Sequence, residues 1–198
     1  MRAMPASASP LLETPRLLLR ASDAAMSREA LAFFERNQSH FAPWDPPLPD
    51  SFFTLRWQRN RLLHHRRAFS IGEAFRYWLF SKDEPGRIVG QVHFSGIARG
   101  PFQNALLGYQ LDAAAQGRGL MHEALTAAIG EMFSARVDLH RLQAAHLPEN
   151  ARSAAVLARL GFEPEGLARR YLFVGGQWRD HIINALLNDR FRGPPIAS

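Results

Sequence analysis

The first half of the chain alternates apolar and polar positions in short runs separated by turn residues, which is typical of β-strands. Strands are predicted in this half at residues 16–20, 75–81, 88–97 and 104–112. Short turns, Asp-Glu-Pro-Gly at 83–86 and Arg-Gly-Pro at 99–101, separate the last three of these strands. Because consecutive strands joined by short turns pair in antiparallel fashion, the sequence predicts a meander.

Apolar positions three and four residues apart predict four helices. The predicted ranges are 23–36, 51–67, 118–134 and 151–160. Ser22 or Asp23 supplies an N-cap for the first helix, and Gly161 ends the fourth. A loop with four prolines, residues 37–50, separates the first two helices. Proline restricts the backbone, so this loop is expected to have a defined shape.

The second predicted helix combines an apolar stripe with a basic face. The stripe consists of Phe52, Leu55, Leu62 and Leu63. The opposite face carries Arg56, Arg59, Arg61, Arg66 and Arg67. His64 and His65 lie in the same run without a second ligand pair at metal-binding spacing. They are therefore interpreted as part of a solvated face rather than as a metal site.

The last third of the chain predicts a strand, the fourth helix and a hairpin. The strand covers 141–146, and the hairpin strands cover 169–174 and 177–187. Gly175-Gly176 joins the hairpin strands, and a two-residue glycine loop is a strong hairpin signal. A meander followed by the order β-α-β-α-β-β predicts an α/β fold.

Composition is that of an ordinary globular protein. The 198 residues, 46% hydrophobic and 21% charged, are enough for one domain with a full core. That domain is predicted at 13–190, between a mobile N-terminus at 1–12 and a loose tail at 191–198. The absence of cysteine excludes disulfides and a thiol nucleophile. The chain has neither an apolar run near the roughly 18 residues of a membrane span nor a signal-peptide core, so a cytoplasmic protein is expected.

The net charge of +6 indicates a basic surface, with Lys82 as the single lysine among many arginines. Such a surface can meet nucleic acid, a ribosome or an acidic cofactor. No aromatic-rich basic motif accompanies it, so nucleic-acid binding is not favoured as the primary function.

A glycine turn between the fourth strand and the third helix is the strongest chemical signal. Gln116-Gly117-Arg118-Gly119 places free backbone N–H groups at the positive end of a helix dipole, where a phosphate can bind. The alternative is a turn that only caps the helix. No Gly-Lys-Ser/Thr follows, which excludes a Walker loop, and His122 occupies the third glycine position of a dinucleotide-binding motif.

This turn, as Gln-x-x-Gly-x-(Gly/Ala), resembles the acetyl-CoA pyrophosphate loop of the GNAT N-acetyltransferases, although Met121 replaces the usual Gly or Ala. A second family motif follows at the right spacing, Asn150-x-x-Ser153 and then Leu160-Gly161-Phe162. The likeness is greatest to the ribosomal-protein-alanine N-acetyltransferases of the RimJ/RimL type. It includes Glu13-Thr14-Pro15-Arg16-Leu17, the segment His40 to Pro46, and the segment Gly176 to His181, and so covers roughly residues 13–188.

The resemblance implies the GNAT fold, a central mixed and mostly antiparallel sheet of about seven strands flanked by about four helices. It implies acetyl-CoA as co-substrate and no metal. The implied reaction is direct transfer, in a ternary complex, of acetyl from acetyl-CoA to the α-amine of a protein N-terminus, namely a ribosomal-protein alanine. Two other functions stay open: acetylation of a small amine such as a polyamine, amino acid or antibiotic, and a non-catalytic acetyl-CoA-binding or ribosome-assembly role.

The resemblance also implies the cofactor contacts. The pantetheine amides would pair with the strand end at Tyr109, Gln110, Leu111 and Asp112. The pyrophosphate would bind the backbone amides of Gln116, Gly117, Arg118, Gly119, Leu120 and Met121. Asn150 would bind the cofactor arm, and Ser153 would lie near the sulfur.

The proton carriers are less constrained. Leu157 stands where many family members have a tyrosine acid, so Ser153, Tyr171 or a water must protonate the thiolate. Ser153 is preferred; its alternative role is to bond the first turn of its own helix. An α-amine has a pKa of about 7.7–8.0, so no strong base is required. His93 is the first candidate for the base, followed by His181 and Glu123, and each has a structural polar role as the alternative.

The acceptor is expected at the proline-rich loop and the arginine-rich helix at 53–67. Phe41 and Trp44 would clamp an extended peptide end, or would simply close the core. The arginine face can dock an acidic or RNA-coated partner such as a ribosome. The C-terminal hairpin offers an edge for pairing, so both a monomer and a homodimer are compatible with the sequence.

Overall fold

The computed structural model describes residues 11–193, and within this range eight strands form one open sheet. The strands are β1 (Leu11–Glu13), β2 (Leu17–Ala21), β3 (Phe75–Ser81), β4 (Ile88–Ala98), β5 (Asn104–Leu111), β6 (Arg141–His146), β7 (Glu163–Val174) and β8 (Gln177–Leu187). Their order is β1-β2-β3-β4-β5-β6-β8-β7, and every neighbouring pair is antiparallel except β5 and β6. The predicted mixed, mostly antiparallel sheet is confirmed, with β1 as an unpredicted strand.

Four α-helices flank this sheet within the described residues, as the periodicity predicts. They are α1 (Ser27–Phe41), α2 (Leu55–Ile71), α3 (Leu120–Met132) and α4 (Ala151–Arg159). α1 runs five residues beyond its predicted end, so Asn37 to Phe41 are helical and only the rest of the predicted loop is irregular. Asn37 keeps its amide bonded to the Phe33 carbonyl, one turn back in the helix. Gly72, with φ of 75°, ends α2.

The two helix pairs cover opposite faces of the sheet and enclose two cores. On the face covered by α3 and α4, Val92 and Leu107 of the sheet are buried in one cluster with Leu125 and Leu157 of the helices. The other cluster joins α1 and α2 to the sheet; it comprises Ala30, Phe33, Phe34, Phe41, Phe52, Leu62, Trp78, Phe80 and Ile88. We call these sides the α3–α4 face and the α1–α2 face.

The packing of α2 corrects two sequence predictions. Leu55 and Leu63 are 44% and 41% exposed, so the apolar stripe is narrower than predicted. Arg61 is not on the solvated basic face, because its guanidinium lies 4.9 Å from the centroid of the Phe34 ring. His65 is also turned inward, with its Nδ1 buried. This helix therefore buries charge as well as apolar surface on its inner side.

The sheet is split between β5 and β6, the only parallel pair among the described strands. The two strands are paired from Asn104 with Arg141 to Leu107 with Ala144, and no further. Beyond that point β5 continues along β4 as far as Leu111, whereas β6 continues along β8. Because the strands follow different partners, the main chain from residue 108 to residue 111 has an open edge towards β6.

No helix in the described range is both long and apolar enough to span a membrane. Of the predicted mobile N-terminus, residues 1–10 lie outside the described residues, and residues 194–198 of the predicted loose tail do so as well.

Candidate active site

β5 points consecutive side chains to opposite faces of the sheet at the split, as the alternation of a strand requires. The Tyr109 hydroxyl lies 2.6 Å from Ser153 Oγ on α4, on the α3–α4 face. The Gln110 amide donates to Asp45 Oδ2, on the α1–α2 face. The split therefore has one set of polar groups on each side, with the open edge of β5 between them.

The glycine turn next to the split has the geometry of an anion site. Gly117 and Gly119 have φ of 73° and 74°, which glycine adopts without strain. Gly119 is the N-cap of α3, and no side chain caps this helix. The first-turn N–H groups are therefore left to bind a ligand at the positive end of the dipole. The chain thus fits a pyrophosphate at Gly117, Arg118, Gly119, Leu120 and Met121.

Gln116 differs from the other residues of the turn. Its backbone N–H points to the Ala113 carbonyl at 3.4 Å. Its side-chain nitrogen lies 2.9 Å from His40 Nε2, and its oxygen accepts from Arg152. The side chain of Gln116 thereby ties the turn to α1 and α4.

Glu123, predicted as a possible base, is held away from the split by the β1–β2 turn. Its Oε1 accepts from the Thr14 hydroxyl and from the Arg16 backbone, and its Oε2 accepts from Arg16 Nε. Burial alone would raise the pKa of Glu123, but the hydrogen bonds from Thr14 and Arg16 outweigh it and hold that pKa below its usual value. Arg16 also donates to the Arg118 carbonyl. The structure does not bring Glu123 together with Ser153 or His93, and its contacts buttress the glycine turn instead.

Ser153 and Asn150 lie at the start of α4 and use different groups. Asn150 Oδ1 accepts from the Ser153 backbone N–H at 3.0 Å, which caps the helix. The Ser153 hydroxyl does not bond the first turn; it pairs with the Tyr109 hydroxyl. Burial raises the pKa of Tyr109 to about 12, against a smaller opposing effect of that hydrogen bond. The phenol therefore stays protonated and can hold Ser153 in place, while Leu157, the usual tyrosine position, is buried in the core.

Just beyond the end of β5, the side chain of Asp112 stabilises the fold. The Asp112 carboxylate accepts from Arg36, Arg87 and the Ala114 backbone. Burial would raise its pKa, but these partners lower it overall. The Asp112 side chain is thus occupied, and what this stretch offers a ligand is the open main-chain edge at Tyr109, Gln110 and Leu111.

A chain of polar side chains crosses the α1–α2 face. Gln110 bonds Asp45 on one side and Gln91 on the other, and Gln91 in turn accepts from Arg76. We call this set, Asp45, Gln110, Gln91 and Arg76, the polar relay. Burial raises the pKa of Asp45 to about 6, although the Gln110 hydrogen bond and the charge on Arg61 oppose the shift.

His93 lies beside this relay, over Gly108 of β5. A Cβ built on Gly108 would be 2.4 Å from His93 Cε1, so the ring occupies the space that a side chain would need. Burial, followed by the charges on Arg76 and Arg61, lowers the pKa of His93 well below its usual value. Its Nδ1 is buried without a hydrogen-bond partner among residues 11–193. The imidazole is therefore neutral and weakly basic, and its role as the base stays a prediction.

The predicted acceptor residues separate. Phe41 is 7% exposed and packs in the α1–α2 core, whereas Trp44 is 37% exposed. Beside Phe41 lies a cavity of about 210 Å³ that Asp45 lines. Its other walls are Phe34, Gln38, Phe41, Ala42, Pro46, Pro47, Leu48, Phe53 and Gly175, the last at the tip of the β7–β8 hairpin. We call it the loop cavity.

Sequence reasoning missed Asp45, the polar relay and the Tyr109–Ser153 pair. A usable signal exists for the relay: Arg76, Gln91 and His93 are polar residues inside strands that are otherwise apolar. Interior strands that carry polar side chains on one face point to a lined cavity rather than to core. No local signal reveals the Tyr109–Ser153 pair, because its members lie 44 residues apart.

Comparison with known proteins agrees with this geometry. The family model of the acetyltransferase (GNAT) domain matches residues 16–163. The [ribosomal protein uS5]-alanine N-acetyltransferase of Escherichia coli is 40% identical over 176 residues, which cover 88% of this chain and 89% of that protein.

Solved structures give the same result. The ribosomal-protein-S5-alanine acetyltransferase from Vibrio fischeri superposes with a TM-score of 0.88 at 37% identity, covering 92% of this chain and 99% of that chain. RimJ from Mycobacterium smegmatis, in complex with CoA-disulfide, has a TM-score of 0.81 at 28% identity, covering 90% of this chain and 85% of that chain. The glycine turn, the split sheet and these matches together show that the chain belongs to the GNAT family and is an acetyl-CoA-dependent N-acetyltransferase.

Proposed function

We propose that the enzyme transfers acetyl from acetyl-CoA to the α-amine of a protein N-terminus, with an N-terminal alanine of a ribosomal protein as the acceptor. The single observation that carries the proposal is the split between β5 and β6, with the Tyr109–Ser153 pair on one face and the loop cavity with Asp45 on the other. The 40% identity to the uS5-alanine enzyme supports the choice of acceptor.

The donor binds on the α3–α4 face in this proposal. The glycine turn holds the pyrophosphate, and the open edge of β5 pairs with the pantetheine amides as an added strand. A backbone N–H on that edge polarises the thioester carbonyl, and preorganised donors of this kind stabilise the developing oxyanion. Ser153, held by Tyr109, donates a hydrogen bond to the leaving thiolate. Asn150 retains its amide group for the cofactor arm.

The acceptor approaches from the α1–α2 face. The loop cavity, of about 210 Å³, is small and lined mostly by apolar residues, which suits a small side chain such as that of alanine. Gly175 of the β7–β8 hairpin lines it together with Pro46 and Pro47, and we propose that an extended peptide enters between hairpin and loop. A small free amine would leave this entrance unused.

The deciding experiment measures thiol release from acetyl-CoA with two matched peptides. One peptide begins with a free alanine amine; the other has a blocked N-terminus and one internal lysine. We expect acetylation of the first alone, at its α-amine, as read from product masses. Equal turnover of the lysine peptide, or turnover of polyamines and free amino acids but of neither peptide, would contradict the proposal.

A substitution at Trp44 tests the proposed peptide entrance to the loop cavity. Its exposed indole lies beside Asp45 in sequence, and exposed aromatics at a peptide groove commonly carry binding energy. We expect Trp44→Ala to raise the KM for the alanine peptide about fivefold or more, with kcat little changed. Trp57→Ala is the matched control, because Trp57 on α2 is similarly exposed, at 40%. An unchanged KM in Trp44→Ala would remove Trp44 from the acceptor site.

We propose, further, that α2 guides the enzyme to the ribosome. With Arg61 turned inward and Arg66 paired with Asp23, the outward charge of this helix rests on Arg56, Arg59 and Arg67. Replacing these three by glutamine should weaken co-sedimentation with ribosomes and reduce its salt dependence, while peptide turnover stays unchanged. Co-sedimentation equal to that of the unmodified enzyme would contradict this contact.

A further inference from the structure

The side chain of Asp45 is bound to the residue that forms the open edge of the sheet. Gln110 contributes main chain to that edge, and its side-chain amide donates to Asp45 Oδ2. The Asp45 backbone N–H bonds the Phe41 carbonyl, which anchors the loop to the end of α1. The carboxylate is therefore fixed at the inner end of the loop cavity, next to the strand against which the thioester would lie.

The carboxylate is only partly paired. Among residues 11–193 no cation lies within 4.0 Å of Asp45, and no protein donor reaches Oδ1. Arg61 acts on it from a greater distance. A partly buried carboxylate with one oxygen that lacks a hydrogen-bond donor destabilises the protein unless a cation binds it. The apolar walls of the loop cavity leave a place for one small cation with an apolar substituent.

The other titratable groups on this face do not suit an ammonium ion. Those that face Asp45 and the polar relay are Arg61 and His65 from α2, Arg76 from β3 and His93 from β4. The two arginines repel a cation. The two imidazoles are partly buried and neutral, and burial and nearby positive charge lower the pKa of His65 to about 2. Asp45 is the one carboxylate in this set.

We propose that Asp45 is the catalytic residue that binds the α-ammonium of the acceptor and removes its proton, and that Gln110 is a positioning residue that holds the carboxylate. This inference rests on the proposed function and names the residue that accepts the proton. It moves that role from His93 and Glu123 to a carboxylate in the proline-rich loop.

The proton balance of the step is complete. One proton passes from the α-ammonium to the Asp45 carboxylate, which leaves a neutral amine. The amine nitrogen attacks the thioester carbon, so a C–N bond forms and, when the intermediate collapses, the C–S bond breaks. The second proton leaves the nitrogen and ends on the coenzyme A sulfur, assisted by the Ser153 hydroxyl. Asp45 returns its proton to water after the acetylated peptide leaves.

The first test compares Asp45→Asn with the unmodified enzyme and with Asp50→Asn, an exposed carboxylate at the far end of the same loop. We expect Asp45→Asn to lower kcat/KM for the alanine peptide by about 10²–10³-fold. Asp50→Asn should retain full activity. Acetyl-CoA should raise the melting temperature of all three proteins equally, which shows that the variants are folded and bind the donor. Activity of Asp45→Asn within threefold of the unmodified enzyme would overturn the inference.

The pH profile gives a second readout. Because burial raises the pKa of Asp45 to about 6, kcat/KM of the unmodified enzyme should fall as pH drops through about 6 and the carboxylate becomes protonated. This limb should vanish in Asp45→Asn. In Gln110→Leu it should move to higher pH, because the Gln110 hydrogen bond lowers that pKa. A limb that persists unchanged in Asp45→Asn would overturn the assignment.

The two proposals fail in different ways. If the unmodified enzyme does not acetylate the alanine peptide, the proposed function fails. If it does, and Asp45→Asn does so equally well, only the role of Asp45 fails.

Discussion

Two hydroxyl groups from different elements meet at the donor side of the split. Tyr109 comes from β5 and Ser153 from the first turn of α4, and their oxygens are 2.6 Å apart. The position that often carries a tyrosine acid in this family, Leu157, is buried instead. A phenol is therefore supplied from the sheet rather than from the helix. Since the pKa of Tyr109 is raised to about 12, the phenol keeps its proton, and we propose that its role is to orient Ser153.

Removing these hydroxyls tests their role at the leaving group. We expect Ser153→Ala and Tyr109→Phe each to lower kcat by about 10–100-fold with little change in the KM for acetyl-CoA. The double variant should be no worse than the poorer single one, because the hydroxyls act as one unit. Tyr171→Phe, in which Tyr171 lies against His181, is the control. A full loss in Tyr171→Phe with none in Ser153→Ala would reverse the assignment.

The raised pKa of Asp45 should lower the free energy of unfolding at neutral pH. Its pKa is raised from 3.8 to about 6, so the folded state binds more protons than the unfolded state between these values. The penalty is absent below about pH 4 and fully present above about pH 6. A pKa difference of about 2 corresponds to about 3 kcal/mol in the free energy of unfolding, which partial exposure of Asp45 reduces to about 1–2 kcal/mol. In urea unfolding at pH 8, Asp45→Asn should be more stable than the unmodified protein by this amount. The difference should shrink at pH 4.5. A variant that is less stable at pH 8 would contradict the predicted destabilisation by Asp45.

At the scale of elements, β5 couples the sheet to the site. Its first half pairs with strands on both sides, and its second half pairs on one side only. Gly108 lies at the change between the two halves, and the His93 ring of the neighbouring strand covers it. The absence of a side chain at 108 therefore leaves room for the imidazole of His93 beside the polar relay.

Gly108→Ala tests this fit. The new Cβ would be 2.4 Å from Cε1 and 2.5 Å from Nε2 of His93, so the ring must move. We expect a loss of about 1–3 kcal/mol in unfolding free energy, together with lower activity. His93→Ala in the same chain should recover most of the stability. Gly130→Ala, in open space on α3, is the control and should be neutral or mildly stabilising. Equal stability of Gly108→Ala and the unmodified protein would show that the ring is not confined.

At the scale of the whole molecule, the start of the described chain is joined to the glycine turn. The β1–β2 turn contributes Thr14 and Arg16, which bind Glu123 on α3, and Arg16 reaches the Arg118 carbonyl. One edge of the sheet is thus connected to the helix that begins at the proposed pyrophosphate site. The connection predicts that Glu123 affects donor binding rather than proton transfer.

Glu123→Gln separates these two roles. Loss of the ion pair with Arg16 should loosen the glycine turn and raise the KM for acetyl-CoA about three- to tenfold, with kcat little changed. Glu13→Gln is the control, because Glu13 pairs with Lys82 at an exposed position and has no contact with the turn. A large fall in kcat at unchanged KM would instead support the original prediction that Glu123 is a base.

The sequence predicts those structural features that depend on local patterns of residues. Periodicity and turn residues located β3 and β6 at their observed bounds. Glycine spacing located the turn that precedes α3. It does not predict the link between Asp45 and Gln110, because these residues lie 65 positions apart and meet only when α1 packs on the sheet. Helix periodicity also placed Arg61 outward, whereas contact with Phe34 and Trp78 turns it inward. Pairings of this kind are set by tertiary packing.

The alternation along β5 has a consequence for how such enzymes diverge. Tyr109 and Gln110 are adjacent, so inserting or deleting a single residue before them would exchange the groups that face the two substrates. Ala42, Pro46, Pro47 and Leu48, in contrast, line the loop cavity on either side of Asp45 in the chain. Substitutions at these four positions can therefore adapt the cavity to a new amine while Asp45, the strand and the glycine turn are inherited unchanged.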